Sequence, residues 1–438
     1  MLTKLKSDFI NLTQGILLAL ISITLLIRLL LWWLLRDSEM NFLEPDSRSY
    51  YLPAASKFSE LFLSSEANSN FLGAQVTPVF PLFLHGFSFL TISQVVFINL
   101  AISMATAFLI YKIGKEISGT SFGLLCAFIF SIEGSIWFSS LIVAPETLFT
   151  FFITLFLYFL ISQPFSKSIL NYTVAGLSLG ISILTRPIGI VILVSIVIGL
   201  LVFPGFRNMQ FIALLIVASF IVIIWIARNF FIYGVPNVST ISGHNLLYYE
   251  GAAAQADSLK ITLEESQKIE QGLRDSVIGS TASISEIYEY NMERGISLMQ
   301  LHPLSLAKTH LMGGLRTIFG PGEASIERIL LNGLHIQGGN IGFLSTLIFQ
   351  TVVILIVIGA SIGAVKLWST NKQLFLIFAC TAGSLLIASS GSIGYSRFSV
   401  PMVPILAILC AGGVREVHLI LRGRSQALRK YLSKKIST

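Results

Sequence analysis

Apolar residues run in long unbroken blocks along this chain, at about 14–35, 91–112, 121–141, 147–163, 171–186, 187–203, 210–227, 341–364, 373–390 and 398–414. Blocks near 20 residues match the thickness of a bilayer core. They do not alternate apolar with polar, as barrel strands would. A backbone in lipid must bond within its own segment. The pattern therefore predicts an all-α polytopic membrane protein, a single integral membrane domain over 1–438 with about ten transmembrane helices. Two long polar stretches interrupt the blocks, at 36–90 and 228–340.

Basic residues orient the spans. Lys4, Lys6, Lys112, Lys115, Lys167, Arg207, Lys366 and Lys372 fall on one side, as does a tail over 415–438 with Arg415, Arg422, Arg424, Arg429, Lys430, Lys434 and Lys435. That side is expected to be cytoplasmic, and both long polar stretches then form loops on the outer face. The first block lacks a small-residue cleavage site, so a retained anchor is expected. Arg186-Pro187 splits 171–203 into two short spans, because an arginine at the bilayer centre costs about 3 kcal/mol. The segment 302–322, with Lys308, His310 and Arg316, reads as an interfacial or re-entrant helix, since a further crossing would put the basic tail outside. "TPVFPLFLHGF" at 77–87 suits a short helix lying at the interface.

Composition narrows the function. Charged residues are 12% of the chain, against about 25% for soluble domains. Cys126, Cys380 and Cys410 are too scattered for a disulfide framework or a zinc site. The net charge of +7 lies largely in the tail and is no nucleic-acid signature. No P-loop or GxGxxG occurs, and the cytoplasmic loops are short. Any reaction is expected at the outer face, where a membrane-borne phosphate donor fits better than a nucleotide.

"EPDSRSYYLPA" at 44–54 gathers Glu44, Asp46, Tyr50 and Tyr51 just beyond the first span. A carboxylate beside an apolar surface can acquire a base's pKa. Composition alone favours an ordinary solvated loop. Arg186, Arg228 and Arg397 arrive at the outer face from three places, two of them beside proline-marked breaks. They suit either bidentate phosphate binding or snorkelling to headgroups. Glu146 opens the fourth span, as a cap charge or as a second acid. Glu133 lies inside the third span without an obvious partner. His85 and His244 have no metal-ligand spacing. Tyr248 and Tyr249 suit an acceptor groove or an interfacial aromatic belt.

In order along the chain, "PDSRSYYLPAA", "TPVFPLFLHGF", "LIVAPETLFTFFITL", "AGLSLGISILTRPIGIVIL", "WIARNFFIYG" and "GYSRFSVPMVPIL" resemble the polyprenyl-phosphate-sugar-dependent glycosyltransferases of the type C fold. Within these the chain is most similar to the bacterial branch of the protein O-mannosyltransferase and aminoarabinose lipid A transferase superfamily. The resemblance implies a sugar donor on a polyprenyl monophosphate and an acceptor that is a lipid, glycan or protein, in a cytoplasmic (inner) membrane with no nucleic acid involved. It implies inverting transfer at the outer face, with Asp46 as catalytic base and Glu44 beside it. Arg186, Arg228 and Arg397 would bind the donor phosphate; Tyr50, His85, Glu146 and Tyr395 would contact substrate. No cofactor is called for, and a divalent metal stays open. Many relatives place a second acid directly after the aspartate, where this chain has Ser47. The competing classes are a transporter or lipid flippase and a non-catalytic assembly subunit.

Overall fold

The computed structural model describes residues 2–63, 71–161, 168–203, 207–279, 281–322, 327–334, 339–392 and 394–436. Lys167 lies outside them. Among the described residues the chain is helical, with no strand. The main helices are α1 (Leu2–Leu35), α2 (Val79–Gly86), α3 (Ile92–Ser118), α4 (Thr120–Ile132), α5 (Gly134–Ser140), α6 (Glu146–Ile161), α7 (Ile169–Thr185), α8 (Ile190–Val202), α9 (Met209–Tyr233), α10 (Leu263–Ile278), α11 (Ile284–Leu301), α12 (Pro303–Phe319), α13 (Gly339–Thr370), α14 (Lys372–Ser389) and α15 (Val403–Ile436).

Among the described residues six helical segments are long and apolar enough to cross a membrane, and α4 with α5 makes a seventh, bent by 67°. Three shorter apolar helices, Glu146–Ile161, Ile169–Thr185 and Pro187–Val202, occupy the remaining expected spans. The segment 302–322 is largely helix α12, and the proline-aromatic segment holds α2.

The bend corrects the reading of Glu133. The third span is not one straight helix with an acid in its middle. Glu133 stands at the break with extended backbone, and its carboxylate accepts from Ser135 Oγ at 2.6 Å and from Ile136 N–H at 3.0 Å. It caps α5, because a helix start leaves its first N–H groups without partners.

Side chains written into the sequence set other helix ends. Thr91 and Gln94 form a reciprocal capping box on α3. Asn208 and Asn371 cap α9 and α14 by accepting from Phe211 N–H and Leu374 N–H. Apolar residues between these caps pack into one core that includes Phe130, Phe149, Phe156, Ile183, Leu214 and Phe378. Where α13 crosses α15, a Cβ on Gly363 would collide with the Leu409 carbonyl, so glycine permits the close approach usual for membrane helices. The polar stretch between α9 and α13 carries α10, α11 and α12, the first two opened by Thr262–Glu265 and Ser283–Glu286 capping boxes.

Candidate functional site

The site is assembled by stitching two distant loops together. Phe42 and Val143 share a backbone hydrogen bond, Val143 N–H to Phe42 O, at 2.9 Å. Ser47, fully buried, donates through its hydroxyl to Val143 O at 2.5 Å and accepts from Glu44 N–H at 3.0 Å. Phe42, Leu141, Ile142 and Val143 are all buried in one apolar cluster. Asp46 and Glu146 are thereby brought together, although 100 residues apart in the chain. Ser47 is thus no substitute acid: its hydroxyl is spent on the stitch.

Arg186 reaches the same point through a broken helix. Proline forces the preceding residue out of the helical region, and Arg186 is extended at φ −143° and ψ 124° between α7 and the turn Pro187–Gly189. Thr77 ties the first polar stretch to this break by donating to Thr185 O at 3.2 Å. Arg397 arrives from the turn Ser396–Met402 that leads into α15.

These four charges form one cluster. Arg397 Nη2 donates to Asp46 Oδ2 at 2.5 Å. Arg397 Nε lies 3.5 Å from Glu146 Oε1, and Arg186 Nη1 donates to that same oxygen at 2.9 Å. Glu146 is 1% exposed, and its Oε2 is buried without a partner. Phe398 lies against both arginines: each guanidinium carbon is 5.4 Å from its ring centre. Cation–π attraction of this kind holds a guanidinium at a fixed place.

Tyrosines surround the cluster. Tyr51 packs edge-on against the buried Phe80 at 5.0 Å, in the field of Arg186, Glu146, Asp46 and Arg397. Burial pushes its phenol above the ordinary tyrosine range, so it remains a neutral donor. Tyr249, raised likewise by burial, faces Tyr50, Asp46 and Tyr395. Tyr395 is exposed beside Phe398.

The stretch 389–392, where α14 ends ahead of Arg397, is held from two sides. Ser392 Oγ donates to Tyr249 O. From α12, Thr317 Oγ1 donates to Ser389 O at 3.2 Å and Arg316 Nη2 to Ser392 O at 3.1 Å. A Cβ on Gly313 would strike the carbonyl oxygens of Ser390 and Gly391.

Three sequence candidates lie elsewhere. Glu44 pairs with Arg328, Nη2 to Oε1 at 2.5 Å. His85 Nδ1 lies 3.0 Å from Ala55 O, and its ring stacks on Phe58 at 5.3 Å. Arg228 bonds to the carbonyls of Leu61 and Gly73 and sits over Trp225 and Tyr233, at 4.8 and 5.0 Å from their ring centres. It fastens the first polar stretch to α9. His244 packs on Tyr248 at 4.8 Å. Phe398 at the site and Arg328 beside Glu44 carry too little sequence signal to be ranked, whereas Tyr51, named with Tyr50 in the sequence, lies at the cluster. The aromatic after Arg397 was the clue to Phe398.

A metal can be tested against this donor set. The orphaned Glu146 Oε2 offers one ligand atom and Asp46 a second. Among the described residues no three of the side chains that bind metals gather in one place. Two guanidinium charges already balance the two carboxylates. The residues present therefore do not fit a divalent ion.

Residues 75–229 match the family model described as dolichyl-phosphate-mannose-protein mannosyltransferase. The match bears out the resemblance to the polyprenyl-phosphate-sugar-dependent glycosyltransferases. It takes in Glu146, Arg186 and Arg228 but stops short of Asp46 and Arg397. A search of the curated proteins finds no match. Among solved structures the chain is similar to the Archaeoglobus fulgidus oligosaccharyltransferase AglB in complex with an inhibitory peptide and a dolichol-phosphate. That similarity is at 15% identity and a TM-score of 0.47, covering 95% of this chain and 52% of that one. The same enzyme tethered to an acceptor peptide matches at 12% identity and a TM-score of 0.46, over 92% and 49% of the two chains. Its complex with Zn and sulfate matches at 15% and 0.39, over 82% and 43%. The chain thus spans about half the length of these structures or less.

Proposed function

We propose that the chain is an inverting glycosyltransferase that moves a sugar from a polyprenyl monophosphate to an acceptor at the extracytoplasmic face of the cytoplasmic membrane. The observation that carries this reading is the cluster of Asp46, Arg397, Glu146 and Arg186. It sets a carboxylate base directly against cations suited to a phosphate.

Arg186 and Arg397 hold the donor phosphate, which is also the leaving group. Fixed cations contribute most where charge develops in the transition state. Arg397 is committed to Asp46 before the donor arrives. The phosphate competes for that guanidinium, and as Arg397 turns to it Asp46 is released to accept a proton. Asp46 then takes the proton of the acceptor hydroxyl or amine. The nucleophile attacks the anomeric carbon opposite the phosphate, the carbon–oxygen bond to phosphate breaks, and the anomeric centre inverts. No acid is needed to protonate a leaving phosphate, unlike in glycoside hydrolysis. Glu146 fixes Arg186 and Arg397, and its free oxygen suits a sugar hydroxyl. Tyr50, Tyr249 and Tyr395 line the acceptor side. Arg228, Glu44 and His85 support the loop. The polyprenyl tail lies among the helices in lipid.

Membranes containing the protein, supplied with labelled polyprenyl-phosphate sugars, test the reading. Label is expected to pass to endogenous acceptor with wild type and not with Asp46→Asn. Equal transfer by both would remove Asp46 from the base role.

A further inference from the structure

The geometry points to Arg397 as the resident cation of this site, its guanidinium occupying the position between Asp46 and Glu146 where a bridging divalent ion would sit. Its link to catalysis rests on the transferase reading; the occupancy itself does not. One planar fork addresses both acids, Nη2 toward Asp46 at 2.5 Å and Nε toward Glu146 at 3.5 Å. A divalent ion bridging two carboxylates needs that same space. Glu146 receives a second guanidinium from Arg186 at 2.9 Å. The two guanidinium charges therefore balance the two carboxylates.

Other candidate ligands point away, so a divalent ion at these two acids would complete its coordination with water. Glu44 turns to Arg328, His85 to the Ala55 carbonyl, and His244 to Tyr248. Its neighbours set where Arg397 rests until an anion competes for it. Phe398 shares its ring with Arg186, and Pro401 lies within the turn that carries Arg397. Arginine keeps its charge at every working pH. A guanidinium here supplies cationic stabilisation to a departing phosphate and, unlike a metal ion, cannot be lost to a chelator.

The test uses full-length protein in detergent, stripped with EDTA and titrated with Mn²⁺ alone, free ion being read by electron paramagnetic resonance. Wild type is expected to show no Mn²⁺ site that depends on Asp46 or Glu146. Arg397→Met, which removes the charge and keeps the bulk, should gain one Mn²⁺ per chain, bound at least about tenfold more tightly than by wild type. The gain should vanish in Arg397→Met/Glu146→Gln. Arg397→Gln serves if the methionine variant does not fold. A wild-type Mn²⁺ site abolished by Glu146→Gln would overturn the inference. So would a folded Arg397 variant that gains no Mn²⁺. Retention of polyprenyl phosphate by the EDTA-stripped wild type reports separately on the donor site. Its loss with the Mn²⁺ results intact would count against the transferase reading alone.

Discussion

Arg397 and Asp46, 351 residues apart in sequence, form a direct ion pair of 2.5 Å at the centre of the charged cluster. The base and the cation of the proposed reaction thus hold each other until a phosphate intervenes. Asp46→Asn removes the acceptor of the proton and also the competitor for Arg397. Transfer should fall by about 10²–10⁴-fold, the usual loss for a general base. Polyprenyl phosphate should bind at least as tightly as to wild type, because the cluster gains net positive charge. Parallel transfer and lipid-binding measurements check the two together.

Ser47 offers a second prediction. Its hydroxyl joins the first polar stretch to the segment ahead of Glu146. Ser47→Ala should cost about 1–3 kcal/mol, the price of leaving the Val143 carbonyl buried and unpaired. Ser47→Asp should lower both stability and activity, since it sets a carboxylate against a carbonyl oxygen. Thermal unfolding in detergent reads the first effect and the transfer assay the second.

Arg228 separates support from chemistry. It bonds to the backbone of Leu61 and Gly73 and packs on Trp225. Arg228→Ala should destabilise by about 2–4 kcal/mol, because it strips a cation from buried carbonyls. Donor affinity per folded molecule should stay near wild type, whereas Arg186→Ala should lose it.

Gly313 lies on α12, well away in sequence from the arginine it influences. Any Cβ there meets the carbonyl oxygens of Ser390 and Gly391, in the loop that leads to Arg397. Gly313→Ala should therefore weaken polyprenyl phosphate binding several-fold with little change in helix content. Lipid binding and circular dichroism distinguish that outcome from global unfolding.

Glu250 carries a pH dependence. Burial raises its carboxyl pKa, and His310, whose Nδ1 is 3.4 Å away, pulls it partly back. A carboxyl raised in the folded state stabilises while protonated, and that contribution is lost as pH climbs from the ordinary carboxylate range through the raised value. Hydrogen exchange over 246–251, corrected for intrinsic rates, should be slower at about pH 5 than at about pH 8. Glu250→Gln should flatten the difference.

Much of this architecture was legible in the sequence because a bilayer allows few solutions. The apolar blocks marked the helices, and Arg186-Pro187 marked a real break. Glu133 was misread, since hydropathy averages over a one-residue kink and a capping carboxylate resembles a stray charge. The arginines show a further limit. Arg186, Arg228 and Arg397 look alike as residues that follow or precede a span. Which of them meets Asp46 depends on the Ser47–Val143 stitch and on the carbonyls that capture Arg228, and neither leaves a periodic signal. Glu44 likewise sits two residues before Asp46 in sequence yet turns toward Arg328, because it stands just ahead of the helical turn that carries Asp46.

The most direct test of the central claim is native mass spectrometry of the full-length protein in mild detergent with added polyprenyl phosphate, comparing wild type with Arg397→Ala. Wild type is expected to carry a bound polyprenyl phosphate, with any co-purified sugar adduct revealed by its mass, and the variant to be markedly depleted of both. Equal retention by the two proteins, or bulk phospholipid alone on both, would contradict that claim.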